Sequence, residues 1–182
     1  SSNPSSSNLL FSPVSFTPCT MPVLPLLHVR PGNPDSSPDI LRTPARQVMD
    51  FSPALRGIAA DLLDTLRHHG AAGIAAPQVG IPLRLAVVEQ EAGGGLILVN
   101  PRITAESGPF SEGLEACLSV PGIRCVVLRR ESLEVAFQDL AGARCKLEVQ
   151  GRRARIIAHE VDHLDGVLCT DRAVRVLTGG EP

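Results

Sequence analysis

Two histidines four residues apart, with a glutamate directly after the first, mark the segment best suited to chemistry: His159-Glu160-Val161-Asp162-His163. On a helix, side chains at that spacing stand one above the other with about 5 to 6 Å between Cβ atoms, so both imidazoles reach one metal ion. Glu160 is rotated about 100° from His159, close enough to address a metal-bound water without being a ligand. This HExxH pattern is the logic of a helix-borne metallohydrolase site with glutamate as general base or acid. The plain alternative is an amphipathic helix with two incidental histidines, and the glutamate in register argues against it.

A catalytic metal needs a third protein ligand and an open position for water. No histidine follows His163, so the downstream candidates are Asp165, Cys169 and Asp171. Cys169 falls beyond the expected helix end, while Asp162 and Asp165 point off the histidine face and read as hydrogen-bond acceptors behind the ligands. Upstream, Cys117 stands out by context: Glu115-Ala116-Cys117-Leu118-Ser119-Val120-Pro121-Gly122 places it at a strand end before a Pro-Gly turn. Cys125 and Cys145 sit inside apolar strand patterns and read as buried, inert thiols. Spacing alone leaves the third ligand open, with Cys117 ahead.

Several elements must position these residues. The helix carrying the histidines is expected from Gly151 through Leu164, with Gly166 as its C′ glycine. An earlier helix follows Phe51: Ser52 is an N-cap candidate, Pro53 fits the first turn, and Leu55, Ile58, Ala59, Leu62, Leu63 and Leu66 form an apolar stripe that Gly70 ends. His68-His69 at its end reads as a favourable cation near a helix C-terminus. Strands are expected over Leu83 to Val88, Leu96 to Val99, Ile123 to Leu128, Leu133 to Phe137 and Ala143 to Val149. Connections this short leave no room for crossover helices, so the sheets are expected to be antiparallel.

Composition narrows the classes. With 182 residues, 43% hydrophobic and 20% charged, the chain suits one domain. No apolar run approaches the roughly 18 to 20 residues of a membrane-spanning helix. A net charge of -2, no Trp or Tyr and five Phe offer neither a global field nor stacking platforms for nucleic acid, so direct nucleic-acid binding is not expected. Five cysteines without CxxC spacing do not make a disulfide framework and suggest a reducing compartment. The cytoplasm is the first expectation, and a plastid or mitochondrion the alternative if the Ser-rich residues 1 to 20 are a transit remnant. Those residues otherwise read as a disordered or non-native extension, with Met21 as the start, a catalytic domain over 21 to 176 and a short flexible tail over 177 to 182.

Three separated segments, Gly73-Ile74-Ala75-Ala76-Pro77-Gln78-Val79-Gly80, Glu115-Ala116-Cys117-Leu118-Ser119 and His159-Glu160-Val161-Asp162-His163, resemble the three signature motifs of the peptide deformylase family, in the family's order. Pro38-Asp39-Ile40-Leu41-Arg42 and Asp171-Arg172 extend the likeness over about residues 21 to 172. The resemblance implies an α+β fold, with antiparallel β-sheets packed around the central helix that bears the histidines. It implies Cys117, His159 and His163 as ligands of one divalent metal, iron(II) (Fe2+) natively, with zinc and nickel as substitutes. The implied reaction removes the N-formyl group from the initiator methionine of nascent polypeptides, with metal-bound hydroxide attacking the formyl carbon and Glu160 as general base, then general acid. Gln78 and the Leu118 N–H would stabilise the oxyanion. Gly73, Ile74, Gln78, Glu115, Ala116 and Arg152 would meet the substrate, and Gly73 would let its backbone approach closely. Nascent chains are the implied partners, with transient ribosome association.

Three positions depart from the family pattern. Ala116 stands where Gly is usual, Ala158 where Gln is usual, and Arg152 where Leu or Trp commonly lies near the methionine pocket. The cluster Arg152, Arg153, Arg155 otherwise reads as a solvated helix face. These departures keep open a hydrolase acting on another N-acyl peptide, or a non-catalytic metal-binding relative.

Overall fold

A computed structural model describes residues 23–30, 33, 36–90 and 93–178. The elements in chain order are α1 (Asp39–Arg42), α2 (Pro53–His68), β1 (Gly73–Ala75), a 3-10 turn (Ala76–Val79), β2 (Leu85–Glu89), β3 (Gly95–Ala116), β4 (Ile123–Gln138), β5 (Arg144–Gln150), α3 (Gly151–Leu164), α4 (Cys169–Arg172) and β6 (Ala173–Thr178). The fold is α+β. In place of several sheets there is one curled six-stranded sheet, ordered β1-β2-β3-β4-β5, with β6 on the other half of β4. Every pairing between these strands is antiparallel.

The continuous apolar runs Leu85 to Val88 and Leu96 to Val99 are explained by burial on both faces. Leu85, Val87, Ile97 and Val99 pack with Leu55, Leu62, Leu63 and Leu66 of α2. The alternate residues Val88, Leu96 and Leu98 pack with Ala154, Ile157, Ala158 and Val161 of α3. Ala158 is therefore a core residue, and its methyl sits in an apolar cluster rather than in a polar gap beside the ligands. α3 lies in the hollow of the sheet, in contact with all of β1 through β5.

Local chemistry sets the ends. Ser52 is the N-cap of α2 without a side-chain hydrogen bond, and Pro53 opens the helix. Gly70, in the left-handed region at φ 59°, terminates it. Gly166 at φ 77° follows α3, and a Cβ there would run into the Arg42 carbonyl. β3 runs far beyond Val99. A bulge at Asn100, whose φ is 52°, shifts the register between Val99 and Arg102, after which β3 pairs with β4 as far as Ala116. The Asn100 amide secures that bulge: Oδ1 accepts from the Val48 N–H and Nδ2 donates to the Val48 carbonyl and Gln138 Oε1. The two strands expected over 123 to 137 are one, β4. Leu177 and Thr178 belong to β6, paired with Arg124 and Ile123, so these two positions are strand and not tail. The expected extension over 1 to 20, Met21 and residues 179 to 182 lie outside the described residues.

Candidate active site

Helix α3 presents His159 and His163 on successive turns, and β3 ends at Ala116 so that Cys117 leaves the sheet facing them. The ligand atoms of Cys117, His159 and His163 all lie within 4.8 Å of one another. Cys117 Sγ is 3.2 Å from His163 Nε2. His159 is turned so that Nδ1 meets Glu115 Oε2 at 2.9 Å, leaving Nε2 for the cluster. The aspartates downstream are elsewhere. Asp165 pairs with Arg84 at 2.6 Å with its side chain half exposed, and Asp171 pairs with Arg42.

The charges behind the histidines form a chain. Glu115, 6% exposed, accepts from Arg129 Nε and Nη2 at 2.6 and 2.9 Å and from Arg155 Nη1 at 3.1 Å. Arg129 continues to Asp162 at 2.9 Å, and Asp162 accepts from Arg172 at 2.8 Å. Asp162 is thus two residues removed from the imidazole, acting through Arg129 and Glu115. Glu115, expected at the substrate, is first of all the anchor of His159. Arg155 is no solvated residue either: its guanidinium also donates to the Val127 and Ser111 carbonyls, and it lies where a Cβ on Gly113 would be. Burial opposes ionisation of Glu115, yet Arg129 and His159 outweigh it and hold its pKa at about 2.

The site favours positive charge. The Cys169 thiol hydrogen-bonds the Cys117 sulfur, and with the adjacent imidazoles it holds the Cys117 thiol well below its ordinary value against burial. Burial works against protonation of His159, but the Cys117 sulfur and the Glu115 carboxylate raise its pKa well above the ordinary value. The Cys117 sulfur and the Glu115 carboxylate behind His159 are the negative groups that would attract a cation here. One thiolate and two imidazoles suit zinc, iron(II) or nickel. Cys169, a downstream candidate for the third ligand, is instead a neighbour of the Cys117 sulfur, outside the Cys117, His159 and His163 group. Cys125 is buried as expected, whereas Cys145 is half-buried.

Glu160 is buried beside this cluster, and its Oε2 has no hydrogen-bond partner. Burial raises its pKa above the ordinary carboxylate value, toward the range a general base needs at neutral pH. Its carboxylate occupies the space that a Cβ on Gly73 would need, so this glycine makes room for the glutamate. Gln78 is equally fixed. Its Oε1 accepts from the Ala75 N–H at 2.9 Å, which directs Nε2 toward Cys117 Sγ at 3.7 Å and Ser119 Oγ at 3.3 Å. Residues 23–30 tie the two motifs together, since the Leu27 N–H donates to the Gln78 carbonyl and the Val29 N–H to the Ser119 carbonyl.

Gly73, Gln78, Glu115, Ala116, Cys117, Leu118, Arg152, His159 and Glu160 all line one cavity of about 510 Å³. His163 lies beneath it, 1% exposed. Ile74 is not brought there: its side chain is buried against α2 in the core. Arg129 carries no sequence signal because it is linked to the site only across strands, whereas Cys169, a candidate third ligand by position, stands next to Cys117. Ser119 and Arg155 lay within segments already singled out, and only their partners were missing.

The family model of polypeptide deformylases matches residues 33–178. This chain belongs to the polypeptide deformylase family. It is 41% identical over 137 residues to a peptide deformylase of Desulforudis audaxviator, covering 75% of this chain and 89% of that protein. A peptide deformylase of Synechococcus elongatus, solved with actinonin, superposes with a TM-score of 0.77 at 36% identity over 89% of this chain and 85% of its own. A class I type b peptide deformylase of Acinetobacter baumannii, solved with Met-Ala-Ser, gives 0.73 at 34% identity over 82% and 98%. Among the described residues, no helix is long and apolar enough to cross a membrane.

Proposed function

We propose that this family member hydrolyses the formyl amide of N-formylmethionyl peptides, with newly made polypeptides as substrates and formate as the released acid. The observation that carries the reading is the unpartnered, buried carboxylate oxygen of Glu160 beside the clustered Cys117, His159 and His163 at the cavity wall. The peptide Met-Ala-Ser held by the Acinetobacter relative has the form that the deformylated product would take.

Cys117, His159 and His163 would hold one divalent ion, iron(II) natively, with zinc and nickel suited to the same donors. Bound there, such an ion supplies Lewis acidity and lowers the pKa of a coordinated water toward about 7. Water adds across the formyl C–N bond, so the carbon gains an oxygen and the amine gains a proton. Glu160 accepts the water proton on its free oxygen and later returns it to the departing amine, a role its raised pKa supports. As the formyl oxygen gains negative charge, the Gln78 Nε2 amide and the Leu118 N–H are the donors proposed to meet it. Gln78 arrives oriented, because Ala75 holds its other end. Glu115 keeps the His159 ring in the tautomer that leaves Nε2 free. Ala116 and Arg152 line the cavity and would meet the substrate there. A reducing compartment, the cytoplasm first, suits the chemistry, because oxidation of Cys117 would remove a ligand.

The test is formate release from formyl-Met-Ala-Ser by protein prepared anaerobically with its metal. Release at enzymic rates supports the reading, and a metal-loaded protein that leaves the formyl group in place refutes it.

A further inference from the structure

Charge on the cavity wall is unevenly answered. Glu115 and Arg155 both line it, but they pair with each other at 3.1 Å, and Glu115 is further engaged by Arg129 and His159. Glu160 is reserved for the reaction. Arg152 reaches the same cavity from the first turn of α3, with its residue exposed to solvent. That turn contains no acidic residue, and no carboxylate among the described residues forms an ion pair with Arg152. Leu114, Pro121 and Ile156 supply apolar wall nearby. Arg153, next in sequence, is exposed and does not line the cavity. The cavity thus offers an incoming peptide one guanidinium without a counter-ion.

We propose that Arg152 is a specificity-determining residue that recruits an acidic side chain on one of the two residues following the formylated methionine. The proposal rests on the deformylase reading above and names a substrate class within it. A guanidinium meets a carboxylate through two parallel N–H donors, so it selects Asp or Glu over isosteric amides. Arg152 precedes His159 on α3 by two helical turns, about 10 Å, and an extended peptide advances about 3.3 Å per residue, so the side chains one or two positions beyond the methionine are the ones proposed to reach it. Because the pair would stay solvent-accessible, its effect is modest, about fivefold in affinity.

The experiment compares kcat/KM for amidated formyl-Met-Asp-Ala against formyl-Met-Asn-Ala, and for formyl-Met-Ala-Asp against formyl-Met-Ala-Asn. Amidation removes the terminal carboxylate, so only the side chain answers Arg152. The acid-to-amide ratio within each protein cancels any change in basal rate. The expected result is a wild-type preference for the acid of about fivefold in at least one pair, expressed in KM and reduced by salt. Arg152→Gln brings the ratio near one, Arg152→Lys retains part of it, and Arg153→Gln leaves it as in the wild type. A wild-type ratio near one in both pairs, or a preference that survives Arg152→Gln, overturns the proposal. A metal-loaded wild type that releases formate from none of the four peptides overturns the deformylase reading, and the proposal with it.

Discussion

The two ends of α3 handle charge in opposite ways. In its second half, His159 and Asp162 are tied into a largely buried chain with Glu115, Arg129 and Arg172, each charge facing an opposite one at 2.6 to 2.9 Å. In its first turn, Arg152 and Arg153 are exposed, without an acid on the same turn. Cations at a helix N-terminus oppose the helix dipole at a cost of about 0.3 to 1 kcal/mol each. The comparison teaches that charge used to position a ligand is paired and shielded here, while charge left to meet a substrate stays unpaired at a small local cost.

The paired end is the easier to break. Glu115→Gln leaves Arg129 and Arg155 without their carboxylate in a largely buried setting, and should destabilise the fold by about 3 to 5 kcal/mol. With His159 no longer anchored, metal affinity should also fall about 10- to 100-fold. Denaturant midpoints and metal competition measure the two effects, and a variant as stable as the wild type would dissolve the contrast between the ends.

Acid probes the same end without mutation. The Glu115 pKa is lowered from 4.5 to about 2 on folding. A lowered carboxylate stabilises the fold above its unfolded pKa and loses that contribution as pH falls through its folded one. About 3 kcal/mol should therefore disappear between about pH 5 and pH 2. Glu115→Gln should flatten that part of the stability profile, and an unchanged slope would show that another carboxylate carries it.

Gly73→Ala sharpens the picture within the paired half. Its Cβ would overlap the Glu160 carboxylate, a crowding worth about 1 to 3 kcal/mol. Formate release should fall by about tenfold or more through kcat, with metal content retained. Loss of metal instead would mean that the helix, and not the glutamate alone, had moved. At the exposed end, Arg153→Gln should change thermal stability by less than about 0.5 kcal/mol. A larger loss would reveal a partner for Arg153.

Much of this was legible in the sequence, for reasons visible residue by residue. The helix after Phe51 announced itself through its apolar stripe and Gly70, and the second helix through the spacing of His159 and His163 and the glycine end at Gly166. The clustering of Cys117 with His159 and His163 followed the motif likeness, whereas residue spacing alone left the third ligand open. The outer part of β3 was not legible. Residues 102 to 116 are polar and interrupted by Gly108, Pro109 and Gly113, and their strand character comes from pairing with β4 through bulges. Ile74 looked like a substrate contact because it lies in a motif, but the two-residue period of β1 turns its side chain into the core. Arg129 gave no signal because an ion pair across strands has no local spacing to read, and Arg155 stood out only as part of a basic cluster, with no sign of its Glu115 partner.

The most direct measurement follows metal content and formate together for the wild type and Glu160→Gln, both prepared anaerobically. The account predicts one metal per chain in each protein, with formate release from formyl-Met-Ala-Ser reduced by about a hundredfold or more in the variant. A variant that releases formate as fast as the wild type, with metal bound in both, would contradict the assignment of the proton transfer to Glu160.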